Sequence, residues 1–503
     1  MAENYIKRIL EANVYDVAVE TPLSEAKFLS NRLGNNILIK REDKQPVYSF
    51  KCRGAYNCIA KKSPEQLAKG VVTASAGNHA QGVALSAQQL GIKATIVMPR
   101  TTPEIKVANV RARGAKAVLH GDTFDEAFAH SQKLVEEKGM TYIHPYDDPD
   151  VIAGQGTIAM EILRQHSGPI HAIFVCVGGG GLAAGIAAYT KYLRPETKVI
   201  AVESTESACL DAAMKAGKRV KLPHVGIFAD GVAVGQIGKH TWKVCKEHID
   251  EVITVTPDEL CAAIKDIFDD TRSVAEPAGA LGVAGMKKYI EKTGIKDETM
   301  VAIESGANIN FDRLRYVSEM AEVGEKREVL MAVTIPERPG SFKQFCNVLG
   351  KSNITEFNYR YGKSDQAQIY VGVKIAEGGK QELFDELEKK GYPVLDLSEN
   401  EISKYHIRHM VGGHAPEEVQ DEILYRFEFP ERPGALMQFL KHLGERWNIS
   451  MFHYRNHGAA NGRVLAGLQV SKDDQKAFKQ HIKELGYPCW DESDNPAYQL
   501  FLK

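Results

Sequence analysis

No CxxC pair occurs anywhere in the chain. The eight cysteines stand at 52, 58, 176, 209, 245, 261, 346 and 489, with no histidine at metal-ligand spacing. A zinc knuckle or a dithiol redox centre is thereby excluded, and the cysteines read as reduced, mostly buried thiols of a cytosolic protein. Also missing is any run of the roughly 18 apolar residues that a membrane span needs. Near Met1, Tyr5-Ile6-Lys7-Arg8-Ile9-Leu10 mixes charge into a short apolar stretch, unlike a signal peptide. Charge of one sign is lacking too. With 63 basic against 65 acidic residues there is no electrostatic footprint for nucleic acid or an anionic membrane. These absences leave a soluble, cytoplasmic protein whose partner is a small molecule.

What is present is an ordinary globular composition, 44% hydrophobic and 25% charged, over 503 residues, a length that calls for about two to four domains. From about 20 to 320, short apolar runs alternate with helical periodicity. Val71-Val72-Thr73 precedes the turn Ala74 to Asn78 and a helix-like Ala80 to Leu90 closed by Gly91. Ala94 to Met98 is a strand, Pro103 to Val110 a helix, Ala117 to His120 a strand, and a further helix starts at Asp122, whose carboxylate is positioned to cap it. Ala172 to Val177 is apolar throughout, as in a strand buried on both faces; it runs into Gly178-Gly179-Gly180-Gly181-Leu182 and a helix from Ala183 to Tyr192. The strands Lys198 to Val202 and Met300 to Ile303 end at Glu203 and at Glu304-Ser305-Gly306-Ala307-Asn308. This rhythm means βαβ units and a mainly parallel sheet, with ligands at strand C-termini.

Beyond 320 the chain repeats itself. Ile335-Pro336-Glu337-Arg338-Pro339-Gly340-Ser341 returns 94 positions later as Phe429-Pro430-Glu431-Arg432-Pro433-Gly434-Ala435. Asn353 to Arg360 returns as Asn448 to Arg455. Each copy, Glu328 to Leu397 and Glu422 to Trp490, reads as βαββαβ. The organisation expected is an α/β part over 1–320, with a small lobe of about 50–150 inserted, a linker at 321–327, and α+β domains at 328–400 and 422–503 joined by a linker at 401–421.

The stretch Tyr48-Ser49-Phe50-Lys51-Cys52-Arg53-Gly54-Ala55 carries a lone lysine behind an apolar pair. Lysine forms a Schiff base with an aldehyde, and desolvation or a neighbouring cation such as Arg53 lowers its pKa toward usefulness. Most single lysines are nonetheless solvated surface charges. The four glycines of 178–181, between a buried strand and a helix, suit an anion. They also fit G-x-G-x-x-A, with Glu203 placed 24 residues after Gly179 as a ribose-binding carboxylate would be. A nicotinamide-nucleotide oxidoreductase is therefore the rival reading. Against it, the loop lies in mid-domain, and a dinucleotide leaves Lys51 and Ser75-Ala76-Gly77-Asn78 without roles.

Together, Ser49-Phe50-Lys51 with Arg53-Gly54-Ala55, Ser75-Ala76-Gly77-Asn78-His79, Gly178 to Leu182, and Ser305-Gly306-Ala307-Asn308 resemble the four marks of the fold-type II (tryptophan synthase β-like) pyridoxal-phosphate dehydratases of serine and threonine. The C-terminal pair resembles the regulatory ACT-like pair of the biosynthetic threonine deaminase (threonine ammonia-lyase) family. The resemblance implies that Lys51 carries pyridoxal 5'-phosphate and takes the substrate Cα proton. Gly178, Gly179, Gly180, Gly181 and the Leu182 amide would hold the phosphate. Ser75, Ala76, Gly77 and Asn78 would bind the substrate carboxylate, and the Asn78 side chain the cofactor's 3'-oxygen. Plain turn chemistry also favours Ser75 and Asn78. His79 reads as a packing or capping residue.

Ser305 would hydrogen-bond the pyridine nitrogen. A hydroxyl donates to a neutral nitrogen, whereas an aspartate would keep it protonated; the less electron-withdrawing neutral ring favours prompt elimination over transamination. Related serine racemases have a second serine where this chain has Ala76, so dehydration with little racemisation is expected. Tyr146 stands where the racemase pattern has a cofactor-contacting asparagine and receives no cofactor role. Glu203 and Asp211 match the cation site of some relatives poorly, and no metal is assigned.

The implied activity converts L-threonine to 2-oxobutanoate and ammonia, the first step of isoleucine biosynthesis, with lesser activity on L-serine, inhibition by isoleucine opposed by valine, and a homotetramer. Tyr359 and Tyr454, at matching places in the repeats, are effector-site candidates, although aromatics also pack sheet faces. Alternatives are serine dehydratase or racemase, threonine synthase, cystathionine β-synthase, and a non-catalytic amino-acid sensor.

Overall fold

The computed structural model describes residues 5–502 apart from 312, 326, 339, 351, 361–364, 377, 401–402, 405–406, 410–414, 416–418, 431–434, 444–445 and 456–460. The chain forms two compact units, Met1–Ala321 and Glu322–Lys503.

The first unit contains, in chain order, β1 (Leu23–Glu25), β2 (Asn36–Arg41), β3 (Val71–Ala74), β4 (Ala94–Met98), β5 (Lys116–Leu119), β6 (Thr141–Tyr142), β7 (Ala172–Cys176), β8 (Lys198–Ser204), β9 (Glu251–Val255) and β10 (Thr299–Glu304). They make two sheets, as the alternating pattern predicts. One has the order β1-β2-β10-β7-β8-β9 and the other β5-β4-β3-β6. Every pairing is parallel except that of β1 with β2. All of β7 is buried, each large apolar side chain stabilising by about 1.5–3 kcal/mol, so this strand is a firm base for the turn that follows it. The four-stranded sheet, with strands from 71 to 142, packs within its own apolar cluster, which runs from Ala55 to Val151.

Helix ends follow their local chemistry more closely than the expected bounds. The helix after β3 spans Asn78–Leu90 and stops where Gly91 turns left-handed at φ 66°. The helix expected to start at Asp122 instead begins at Phe124. Its cap is Thr123, whose hydroxyl accepts from the Glu126 N–H while Glu126 reaches back to the Thr123 N–H. This reciprocal cap satisfies the N–H groups of Thr123 and Glu126 together.

The second unit contains β11 (Glu328–Pro336), β12 (Asn353–Arg360), β13 (Gln366–Lys374), β14 (Val394–Asp396), β15 (Glu422–Pro430), β16 (Asn448–Arg455), β17 (Asn461–Gln469) and β18 (Cys489–Asp491). Helices Ser341–Leu349, Lys380–Lys389, Ala435–Leu443 and Gln475–Leu485 complete two βαββαβ copies. The second copy's Pro-Gly turn, 431–434, lies outside the described residues. The copies share one eight-stranded sheet, β14-β11-β13-β12-β16-β17-β15-β18, joined where β12 pairs antiparallel with β16.

Neither expected linker is a plain connector. Helix Arg313–Gly324 runs through most of 321–327. In 401–421, Arg408 is buried, its Nε donating to Glu356 Oε1 at 2.7 Å and its Nη2 lying 3.5 Å from Glu328 Oε2. Among the described residues no helix is long and apolar enough to cross a membrane.

Candidate active site

Lys51 opens the helix Lys51–Ala60. The chain enters it through Tyr48, held left-handed at φ 53°, and is tied to the segment after β10: Phe50 N donates to Ser305 O at 3.3 Å and Ala307 N to Tyr48 O at 2.9 Å. The helix lies close against Pro149–Gln165, where a Cβ on Gly154 would come within 2.7 Å of the Gly54 Cα; only glycine permits that approach. Lys51 Nζ donates to Pro145 O at 3.2 Å. Burial pulls its pKa down to about 8, with Cys176 and Glu276 nearby opposing the fall. Arg53 is not the cause. Its guanidinium is fully buried and committed to Glu42 at 2.8 Å and Glu161 at 2.6 Å, so its charge is neutralised within the fold.

β7 delivers the glycine turn to the start of helix Gly181–Leu193, with Gly180 at φ 91°. The Gly179 carbonyl accepts from Thr241 Oγ1 at 2.7 Å and that of Gly178 from Cys209 Sγ at 3.2 Å. A Cβ on Gly179 would run into the Tyr146 ring. The neighbouring Asp147 accepts from the N–H groups of Lys239, His240 and Thr241 at 2.7–3.2 Å. Residues 145–147 thus link the lysine, the glycine turn and the helix that carries Thr241.

After β3, Ser75 Oγ accepts from the N–H groups of Gly77 and Ala80, both at 3.3 Å; turn chemistry is present whatever else this serine does. Asn78 begins the following helix, its Nδ2 donating to Glu276 Oε1 at 2.5 Å and its Oδ1 accepting from Asn308 Nδ2 at 2.7 Å. Burial pushes the Glu276 carboxyl up to about 7, aided by the negative charge of Asp230. Ser305 is buried after β10, its Oγ donating to Ala278 O at a long 3.3 Å. His79 is buried against Ile143 O at 3.0 Å, and burial pushes its pKa down to about 3, which leaves it neutral and suits packing.

The structure therefore brings Lys51, Asn78 and Ser305 around Glu276 and Cys176, and ties Gly179 to Lys51 through residues 145 and 146. A buried amine, a glycine turn at a helix N-terminus and a hydroxyl donor at a strand end suit an aldehyde, a phosphate and a ring nitrogen respectively. This donor set fits pyridoxal phosphate. It does not suit a dinucleotide, because Glu203 is fully buried, its carboxylate accepting from the N–H groups of Leu210 and Asp211 at 2.8 Å each. Asp211 pairs with Lys215 at 2.7 Å.

Comparison with known proteins is decisive. Residues 14–306 match the family model "Pyridoxal-phosphate dependent enzyme", and 319–407 and 413–502 match "C-terminal regulatory domain of Threonine dehydratase". The biosynthetic L-threonine dehydratase of Burkholderia multivorans is 57% identical, covering 100% of this chain and 99% of its own length. That of Escherichia coli is 54% identical over 99% of this chain and 97% of its own. The chain belongs to the biosynthetic threonine dehydratase family. A solved structure of the processed form of threonine deaminase isoform 2 from Solanum lycopersicum is 53% identical with a TM-score of 0.62, covering 63% of this chain and 92% of that one. Maize serine racemase is also similar, at 32% identity and a TM-score of 0.59, over 62% of this chain and 96% of its own; the dehydratases span nearly all of it.

In this dehydratase-family chain, sequence reasoning overlooked Glu276 and Thr241, and saw Asn308 only as part of a motif. Glu276 precedes Pro277 at a helix start, where a glutamate is unremarkable. The available signal was the adjacent Pro-Ala-Gly, since Gly279 lies against the Gly306 backbone.

The effector candidates lie in the second unit. The Tyr359 hydroxyl donates to Glu337 Oε1 and Oε2 at 2.6 and 2.7 Å. Tyr454 is 1% exposed within the apolar core of that unit. Pairing of Tyr359 with Phe452 and of Phe357 with Tyr454 in the joined strands puts both rings in that core.

Proposed function

We propose that the chain is a threonine ammonia-lyase, converting L-threonine to 2-oxobutanoate and ammonia in the cytoplasm, with lesser activity on L-serine. The observation that carries this is Lys51: a buried amine with its pKa pulled down to about 8, set beside a glycine turn suited to phosphate. Bound pyridoxal phosphate supplies the electron sink for breaking the Cα–H bond. Lys51 Nζ accepts the Cα proton, a role that requires a neutral amine. Ser75 and the backbone through Gly77 hold the substrate carboxylate, and the Asn78 amide orients the cofactor. The amides of Gly178 to Leu182 hold the phosphate. Ser305 Oγ, whose bond to the Ala278 carbonyl is long, would turn its hydrogen to the ring nitrogen and leave the ring neutral, which favours elimination over transamination. Ala76 has no hydroxyl, and the face of Cα opposite Lys51 receives no proton from it. The released enamine tautomerises to an imine, and water hydrolyses that to keto acid and ammonia without further help from the protein.

Control by isoleucine, opposed by valine, belongs to the second unit. Supporting this, a cleft there is lined by Glu337, Arg338, Ser341, Phe342, Trp447 and Ile449. Ser341 Oγ and Trp447 Nε1 are buried without a hydrogen-bond partner among the described residues. Acid, base and spare donors beside an apolar wall suit an aliphatic amino acid, and the Tyr359 hydroxyl steadies Glu337 from inside. The active form is a homotetramer. The test is 2-oxobutanoate formation from L-threonine by the purified protein, with and without isoleucine and valine. Absence of turnover, or isoleucine inhibition that survives removal of residues beyond 325, would overturn the catalytic or the regulatory half respectively.

A further inference from the structure

Asn78 has both ends of its side-chain amide committed, and the commitments fix which way it faces. Asn308 Nδ2 donates to Val47 O at 2.9 Å and to Asn78 Oδ1 at 2.7 Å. Of the two amide ends of Asn308, only the nitrogen can serve two acceptors in this way. Asn78 must therefore turn its oxygen to Asn308 and its nitrogen to Glu276 Oε1, 2.5 Å away. An amide nitrogen carries two hydrogens, and Glu276 takes one. Glu276 is itself fixed: its N–H donates to Gly306 O at 3.0 Å. Its Oε1 is so close to Gly306 that a Cβ there would come within 2.9 Å of it.

We propose that Glu276 and Asn308 are positioning residues that lock the Asn78 amide in one rotational state, with its second N–H turned to the 3'-oxygen of the cofactor. This rests on the role given to Asn78 above. Without Asn308 the Asn78 oxygen loses its donor and only Glu276 holds the amide, so the flipped state, whose oxygen repels a ligand oxygen, becomes less costly. With glutamine at 276, the acceptor facing Asn78 is uncharged and can also present a donor, so Asn308 alone holds the orientation and the hold is weaker.

The test titrates the cofactor-free protein with pyridoxal phosphate, following the visible absorbance, for Asn78→Ala, Asn308→Ala, Glu276→Gln and the double variants with Asn78→Ala. Each single change is expected to weaken cofactor affinity about tenfold, the worth of one good hydrogen bond, and to move the visible band in the same direction. In the Asn78→Ala background, Asn308→Ala and Glu276→Gln should each add less than about twofold, because they act through Asn78. Glu276→Gln keeps the side-chain shape, so its melting temperature separates misfolding from misorientation. Effects of equal size in both backgrounds, or no effect in folded single variants, would overturn the clamp alone. A parent protein that takes up no cofactor would overturn the reading on which it rests as well.

Discussion

Replacing Arg53 with methionine isolates what holds the Lys51 helix in place. The five N–H groups of the guanidinium face six acceptors, Nη2 sharing two hydrogens among three: two oxygens of Glu42, two of Glu161, the Thr157 hydroxyl and the Val19 carbonyl. With Lys40, bonded to Glu161 at 2.7 Å, it balances two buried carboxylates with two buried cations. The variant leaves Glu42 with only Thr21 and Gln45 as side-chain hydrogen-bond partners among the described residues, at 2.6 and 3.1 Å, and the cluster carries one uncompensated negative charge. Breaking a buried pair in this way costs about 3–5 kcal/mol, to be read from urea unfolding at pH 7. The pH dependence gives a second handle. In the parent, burial raises the Glu161 pKa but Arg53 and Lys40 pull it below the ordinary value; a depressed carboxylate contributes stability that is lost as pH falls through its folded pKa. In the variant Glu161 loses the Arg53 charge that opposes its burial, its pKa rises, and acidification relieves the uncompensated charge. The two stability curves should converge as pH falls from 7 toward about 4.5. A loss of less than about 1 kcal/mol, typical of an exposed pair, or a deficit independent of pH, would refute this account.

Two further outcomes follow from the site. With the Lys51 pKa near 8, the neutral amine at pH 7 is roughly 200–300 times more abundant than for a free lysine; the rate of cofactor uptake by the cofactor-free protein should rise with pH and level off above about 8, and Lys51→Ala should abolish the visible band. Gly179→Ala drives a Cβ into the Tyr146 ring and should cost about 1–3 kcal/mol together with cofactor affinity; Tyr146→Ala in the same chain should restore part of both, measured by thermal melting and cofactor titration.

The site was legible where function is written in local spacing. Lys51, the glycine turn and Ser305 each follow or precede an element whose apolar pattern reveals it. What could not be read is what joins distant stretches. Glu276 meets Asn78 across 198 residues, and the Pro-Ala-Gly beside it marks a close backbone approach without identifying the partner. Arg53, next to Lys51 in the chain, invites an electrostatic role toward it, yet helix geometry sends its side chain to Glu42 and Glu161. Arg408 looked like a linker charge because its two glutamates come from strands far away in sequence. The Thr123 cap was readable as Thr-x-x-Glu, and Asp122 misled only by coming first. Tyr359 and Tyr454 obey the two-residue alternation of strands whose inward face is apolar, a pattern that is silent about whether a ring also touches a ligand.

The eight-stranded sheet ends on each side in a strand of three residues, β14 and β18. A short outermost strand offers little open backbone to a neighbouring chain. The sheet is thereby finished as a unit, protected against runaway edge-to-edge growth. Association of copies through this half would therefore fall mainly to the sheet face and the helices, where side chains rather than backbone make the contact.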